Sequence, residues 1–240
     1  MAVLLSAQDM HSDAASTPII LIADSRVLQV PIIENHEPLI DLKDQTIIAY
    51  GPSPEIPDNQ DYTKMRMAVY TKLKEAQALL PQGLRFCIYE SYRSVSTQKK
   101  LFDDRYQKLQ ALHPEWSQEQ CFEETTKLVS PVINKDGSTN IPPHSTGGAF
   151  DVYLVDDAGN IVDMGICVKD WMSDTTGELS ATHSDKMSAQ AQAYRKIMCE
   201  VLETVGFVNY PTEYWHWSFG DRYWAYYKKK NHAVYAAIMT

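Results

Sequence analysis

Two short segments of the chain carry side chains suited to hold one metal ion and to run hydrolysis beside it. In the first, His144-Ser-Thr-Gly147-Gly148-Ala-Phe-Asp151, an imidazole is followed by two glycines and then a carboxylate. Both donors suit a catalytic zinc ion, which takes three protein ligands and keeps a fourth position for water. Glycines let a loop fold back closely, so His144 in a loop and Asp151 just inside a strand can reach the same ion. In the second segment, Glu213-Tyr-Trp-His216-Trp, His216 is the candidate third ligand and Glu213 the candidate base. A carboxylate beside a metal-bound water can take its proton and later pass it to a leaving amine. A weak base is enough, because the metal brings the pKa of water from roughly 15.7 toward about 7. Arg93, in Tyr89-Glu-Ser-Tyr-Arg93-Ser, is the candidate donor to a carbonyl oxygen as it becomes an oxyanion.

Each of these residues also has an ordinary reading. His144 alone reads as a loop hydrogen-bonder, Asp151 as a turn or strand-end residue, and His216 as part of an aromatic cluster with Trp215 and Trp217. Glu213 alone reads as a surface carboxylate and Arg93 as a salt-bridge partner. Only the joint pattern, a histidine and an aspartate in one segment and a glutamate and a histidine in the other, points to a metal centre.

The elements that must position these residues follow from periodicity and punctuation. Leu84–Tyr92 reads as a strand, rich in β-branched and aromatic residues after a Pro-Gln-Gly turn. Ala149–Val155 reads as a second strand, turning at 156–160 into a return strand over Ile161–Met164. Tyr214–Phe219 is a third. On it His216 shares a face with Tyr214 and Ser218, so Glu213 at its mouth reaches the ligand side only if the chain bends near Pro211. Helices are expected over Thr63–Leu80, Ser96–Leu112, Ser117–Leu128 with Ser117 and Gln120 as a capping box, Ser188–Val205 ended by Gly206, and Asp221–Ala237. Apolar runs Ile19–Ile22 and Val27–Ile33 in Pro18–Ile33 read as two short strands or as a strand and an extended arm, Gly51–Tyr62 as a proline-rich loop, and Gly165–Asp185 as a long loop able to cover a site. Helices and strands do not alternate strictly, and the later strands lie close together. That combination predicts an α+β domain over 18–240, a small antiparallel sheet packed with helices, behind a loosely ordered segment over 1–17.

Composition bounds the function. With 240 residues, 44% hydrophobic and 22% charged, the chain suits one globular core. A net charge of −9 argues against a nucleic-acid partner. Cys87, Cys121, Cys167 and Cys199 are far apart and form no CxxC pair, which disfavours a disulfide scaffold or a cysteine zinc site. No apolar run approaches a membrane span, and Ala2–Leu5 is too short and lacks the basic flank of a signal peptide. A cytoplasmic protein with no membrane partner is expected.

Three pieces together resemble the D-alanyl-D-alanine dipeptidases, the VanX-like zinc peptidases: Tyr92-Arg93 after a strand, His144-Ser145-x-Gly147-x-Ala149-x-Asp151, and Glu213-x-Trp215-His216, with Met164-Gly165 between them. The resemblance implies one zinc ion per chain on His144, Asp151 and His216, Glu213 as base, Arg93 as oxyanion partner, a short D-amino-acid dipeptide as substrate, and a small antiparallel sheet with helices. Two features depart from the pattern. Pro142-Pro143 stand where the family often has serines. The family's M-G-x-x-F-D becomes Met164-Gly-Ile-Cys-Val-Lys-Asp170, one residue longer and without the phenylalanine, leaving Asp170 as the counterpart of the aspartate that binds the substrate's ammonium group. His183, in the loop beyond, is read as non-catalytic. The rival readings are a carboxypeptidase or endopeptidase acting on muropeptides, and a zinc-binding module without activity.

Overall fold

The computed structural model describes residues 18–52 and 59–238, so the expected loose segment over 1–17 and the middle of the proline-rich loop lie outside the described residues. Six helices and seven strands are described: α1 Ser25–Leu28, β1 Leu39–Asp41, β2 Ala49–Tyr50, β3 Lys64–Arg66, α2 Met67–Leu79, β4 Leu84–Glu90, α3 Val95–Leu112, α4 Gln118–Thr126, β5 Ala149–Asp156, α5 Ala189–Thr204, β6 Val208–Tyr210, β7 Glu213–Ser218 and α6 Arg222–Tyr227. The main sheet has the order β2-β4-β5-β7-β6. All its pairings are antiparallel except the two-residue parallel contact of β2 with β4, which agrees with the expected α+β class. Strands β1 and β3 form a separate antiparallel pair.

Strand β5 is the centre of the sheet and is buried along nearly its whole length. Alternation puts Phe150, Val152 and Leu154 on one face and Asp151 and Tyr153 on the other. Phe150, Val152 and Leu154 join Phe86 and Ile88 of β4 in the main core. Helix α2 adds Val69, Tyr70, Leu73 and Ala76, and α5 adds Met198, Cys199 and Leu202. The apolar face of each helix recurs every three to four residues, which is why each forms and where each docks. The capping box holds as expected: Ser117 Oγ accepts from the Gln120 N–H at 3.1 Å, and Gln120 Oε1 accepts from the Ser117 N–H at 2.9 Å. No helix among the described residues is long and apolar enough to cross a membrane. The four cysteines are free.

Several expected elements differ. Pro18–Ile33 forms no strand beyond a single bridge at Ile32. Asp24 caps a one-turn helix there instead, its carboxylate accepting from the Arg26 N–H. The helix expected from Thr63 starts at Met67, because Lys64–Arg66 pairs with β1. The return strand at Ile161–Met164 reduces to one bridge, Val155 to Ile161. The C-terminal helix stops at Tyr227, where Lys229 takes a φ of +51°. The chain then runs on as an extended strap, with Val234 N–H bonded to the Gly220 carbonyl and Ile238 N–H to the Ser145 carbonyl.

Candidate active site

Sheet register brings the site together. Glu90 of β4 is opposite Asp151 of β5, and Asp151 is opposite His216 of β7, so one row crosses three strands. The β4 register shifts between Ile88 and Glu90, a bulge that turns Glu90 onto this row; bulges of this kind re-aim side chains beside active sites. His144 arrives from a 3₁₀ turn, Pro143–Thr146, which enters β5 through Gly147 in the left-handed region at φ +70°. A Cβ on Gly148 would overlap the Phe219 carbonyl oxygen and stand 2.9 Å from Tyr235 Cδ2, so only glycine lets the turn lie this close to the strap.

His144, Asp151 and His216 are 5%, 5% and 3% exposed and converge on one point. His144 Nε2 is 3.1 Å from His216 Nδ1 and 3.3 Å from Asp151 Oδ1, and His216 Nδ1 is 3.2 Å from Asp151 Oδ1. Tetrahedral donors at about 2.0–2.1 Å from a zinc-sized ion stand about 3.3–3.4 Å apart, so this triangle fits such an ion. The tautomer fits as well. His144 Nδ1 lies 2.7 Å from the Ser91 carbonyl oxygen, which can only accept. Nδ1 therefore carries the proton and Nε2 turns its lone pair to the cluster, as a metal-binding histidine requires. Burial pushes the Asp151 carboxyl up, but His144 and His216 together outweigh it and hold it well below the usual carboxylate range.

Glu213 and Arg93 line the same cavity. Glu213 Oε2 accepts from Trp215 Nε1 at 2.8 Å, leaving Oε1 free for a proton. Burial first, and then the Asp151 charge, raises its carboxyl well above the ordinary range. The bend that Glu213 needs is present: β6 and β7 shift register between Asn209 and Tyr210. Asn209 Nδ2 fills the irregularity by donating to the carbonyls of Glu213 and His216 at 3.2 and 3.1 Å. Arg93 donates through Nε and Nη2 to Glu90 Oε2, through Nη1 to Gln98 Oε1 at 2.8 Å, and lies 3.9 Å from Asp151 Oδ2. Burial opposes its charge, but Glu90 more than compensates and keeps the guanidinium protonated. Three of its five N–H groups are used, so one remains on each terminal nitrogen. Asn59 Nδ2 holds the other oxygen of Glu90 at 2.9 Å.

Asp170 does not join this group. It lies in a 3₁₀ turn, Val168–Ser173, and is exposed. With three residues per turn, Val168 and Trp171 share the inner face and line the cavity, which leaves Asp170 on the outer one. His183 is exposed and likewise away from the cavity. The supporting residues Glu90, Gln98, Asn59 and Asn209 escaped the sequence reading. Glu90 alone left a usable signal, an acid three residues before Arg93. Glu90 and Gln98 line the cavity, which measures about 40 Å³.

Residues 57–236 match the peptidase M15 family, described as D-ala-D-ala dipeptidase. The D-alanyl-D-alanine dipeptidase of Synechocystis sp. is 26% identical over 233 residues, covering 88% of this chain and 93% of that one. Among solved structures, VanYB in complex with D-alanine-D-alanine aligns with a TM-score of 0.40 at 15% identity, over 77% of this chain and 92% of that one. The LdcB LD-carboxypeptidase aligns with a TM-score of 0.39 at 16% identity, over 82% and 76%.

Proposed function

The chain belongs to the D-ala-D-ala dipeptidase family of M15 metallopeptidases, and from that premise we propose that it hydrolyses D-Ala-D-Ala or a similarly short D,D-dipeptide with one zinc ion on His144, Asp151 and His216. The observation that carries the reading is the donor triangle of 3.1–3.3 Å in the same cavity as Glu213 and Arg93. The dipeptidase name of the Synechocystis relative supports a substrate of two residues.

A divalent ion on these ligands supplies Lewis-acid polarisation of the scissile carbonyl and acidifies water. The protein's own residues do the rest. Glu213 takes a proton on Oε1 from the attacking water while Trp215 fixes Oε2. Glu213 then gives that proton to the leaving amine. Arg93 turns its two unused N–H groups to the carbonyl oxygen as charge gathers there, braced by Glu90 and Gln98 so that little reorganisation is needed.

The test is release of D-alanine from D-Ala-D-Ala by zinc-loaded protein beside Glu213→Gln, which keeps the acceptor for Trp215. The expected loss is about 10²- to 10⁴-fold in kcat, with zinc content unchanged by elemental analysis. Absence of release from a folded, zinc-loaded protein rejects the dipeptidase reading, and cleavage of muropeptides alone would replace it with a carboxypeptidase.

A further inference from the structure

Helix α3 turns a stripe of buried residues inward: Gln98, Leu101, Phe102, Arg105 and Leu109. Gln98 and Leu101 line the catalytic cavity. Arg105, one turn on along the same stripe, lies just behind its wall: the guanidinium carbon is 5.4 Å from the centre of the Trp171 ring, which lines the cavity. Arg105 is 2% exposed, and neither Nε nor Nη1 has a hydrogen-bond partner among the described residues. Nη2 makes one long donation, 3.4 Å, to the backbone carbonyl of Asp174. The Asp174 carboxylate is turned elsewhere, accepting from the Ser180 N–H at 2.7 Å and the Thr176 hydroxyl at 3.4 Å. Arginine is almost never fully buried unless paired, and a guanidinium taken out of water without an anion is costly. Four of its five donors are idle here.

Among the described residues that line the cavity, Glu90, Asp151 and Glu213 are acidic, and Arg93 is the one Lys or Arg; its two unused N–H groups are already assigned to the scissile carbonyl, which leaves none for a substrate carboxylate. At about 40 Å³ the cavity admits a dipeptide only if a wall moves. Resting on the peptidase reading, we propose that Arg105 receives the free α-carboxylate of the residue beyond the scissile bond once the Trp171 ring swings aside. The role makes Arg105 a specificity residue. Peptides that end in a free carboxylate at this distance pair the buried charge, and chains that continue past it do not.

Binding without turnover provides the test. The full chain carrying Glu213→Gln, zinc-loaded, is titrated calorimetrically with D-Ala-D-Ala and with D-alanyl-D-alanine amide, which lacks the carboxylate. The dipeptide is expected to bind about 10- to 100-fold more tightly, the range for hydrogen bonds to a charged group. Adding Arg105→Met should erase that preference by weakening the dipeptide alone, and Arg105→Lys should restore part of it. Arg105→Met should melt no lower than its parent, since it removes an unpaired buried charge; Arg105→Gln carries the same comparison if the methionine variant fails to fold. Absence of dipeptide binding, equal affinity for the two ligands, or a preference that survives Arg105→Met overturns the proposal. Turnover by the unsubstituted chain separates the two readings. An inactive chain with an Arg105-dependent preference loses the dipeptidase reading alone, and an active chain without one loses only the role of Arg105.

Discussion

At the scale of single residues, Glu213 is prepared for proton transfer by its surroundings. Its carboxyl stands well above the ordinary value because it is buried and faces the Asp151 charge. A carboxyl whose folded pKa exceeds its unfolded value of about 4.3 lends stability that is fully present below that pH and is lost as pH rises through the folded pKa. Beyond it the ionised group is a standing cost. Glutamine is neutral throughout and keeps the acceptor for Trp215, so metal-free Glu213→Gln should melt with wild type near pH 4 and increasingly above it toward pH 8. A gap that stays constant with pH would reject the perturbed carboxyl. Arg93 offers a second prediction. Lysine cannot reproduce a fork that grips Glu90 and Gln98 and still presents two donors. Arg93→Lys is expected to lower kcat about 10²- to 10³-fold with KM little changed, and steady-state kinetics would show whether the loss falls on KM instead. The histidines were legible in the sequence because the chain has only seven, and Asp151 and Glu213 because their spacing ties them to a histidine in each of two short segments. Glu90, Gln98 and Asn59 were not, because such residues are common and only the folded chain reveals what they hold.

At the scale of elements, the site depends on departures from regularity. The β4 bulge delivers Glu90, the shifted β6–β7 register delivers Glu213, and Gly147-Gly148 delivers His144. Strict alternation excluded Glu213 from the ligand side, and the bend that readmits it comes from Asn209 on the neighbouring strand, a contact no local pattern encodes. Strands β4, β5 and β7 were readable from composition, β1, β2 and β3 were not, and the order of the sheet depends on pairings far apart in the chain. The helix expected through Ala237 fails for the same reason: its apolar residues serve a strap that packs Tyr235 against Phe219 at 6.5 Å between ring centres. Gly148→Ala tests this layer. Its Cβ would meet a backbone carbonyl and a packed ring, neither of which yields cheaply. Overpacking of this kind costs about 1–3 kcal/mol, roughly 2–4 °C of melting temperature per kcal/mol in a chain of this size. Zinc titration of the variant should also show weaker binding, since His144 and Asp151 flank the displaced residue. A normal melting temperature with normal affinity would mean that the turn can relax without the strap.

For the whole molecule, the three candidate ligands draw distant parts of the chain to one point. His144 and His216 are 72 residues apart in sequence. The turn bearing His144 is in turn clamped by Arg66 just before α2, whose Nε donates to the Thr146 carbonyl at 2.8 Å and whose backbone N–H donates to the Gly147 carbonyl at 2.9 Å. The same guanidinium reaches Glu34 of the N-terminal arm and the Ala236 carbonyl of the C-terminal strap. Both ends of the described chain therefore bear on the turn that presents His144. An ion bound there engages a geometry that the unfolded chain does not have, so it should stabilise the fold as a whole by mass action. At zinc concentrations about 100-fold above Kd the gain is about 2.7 kcal/mol, which for a chain of this length raises the melting temperature by about 5–10 °C. Calorimetric scans of metal-free protein, with and without zinc, would measure the shift. A chelator should reverse it and His144→Ala should abolish it. One equivalent of zinc bound with no change in melting temperature would put the ion on a surface that folding does not build, and would remove His144, Asp151 and His216 as its ligands.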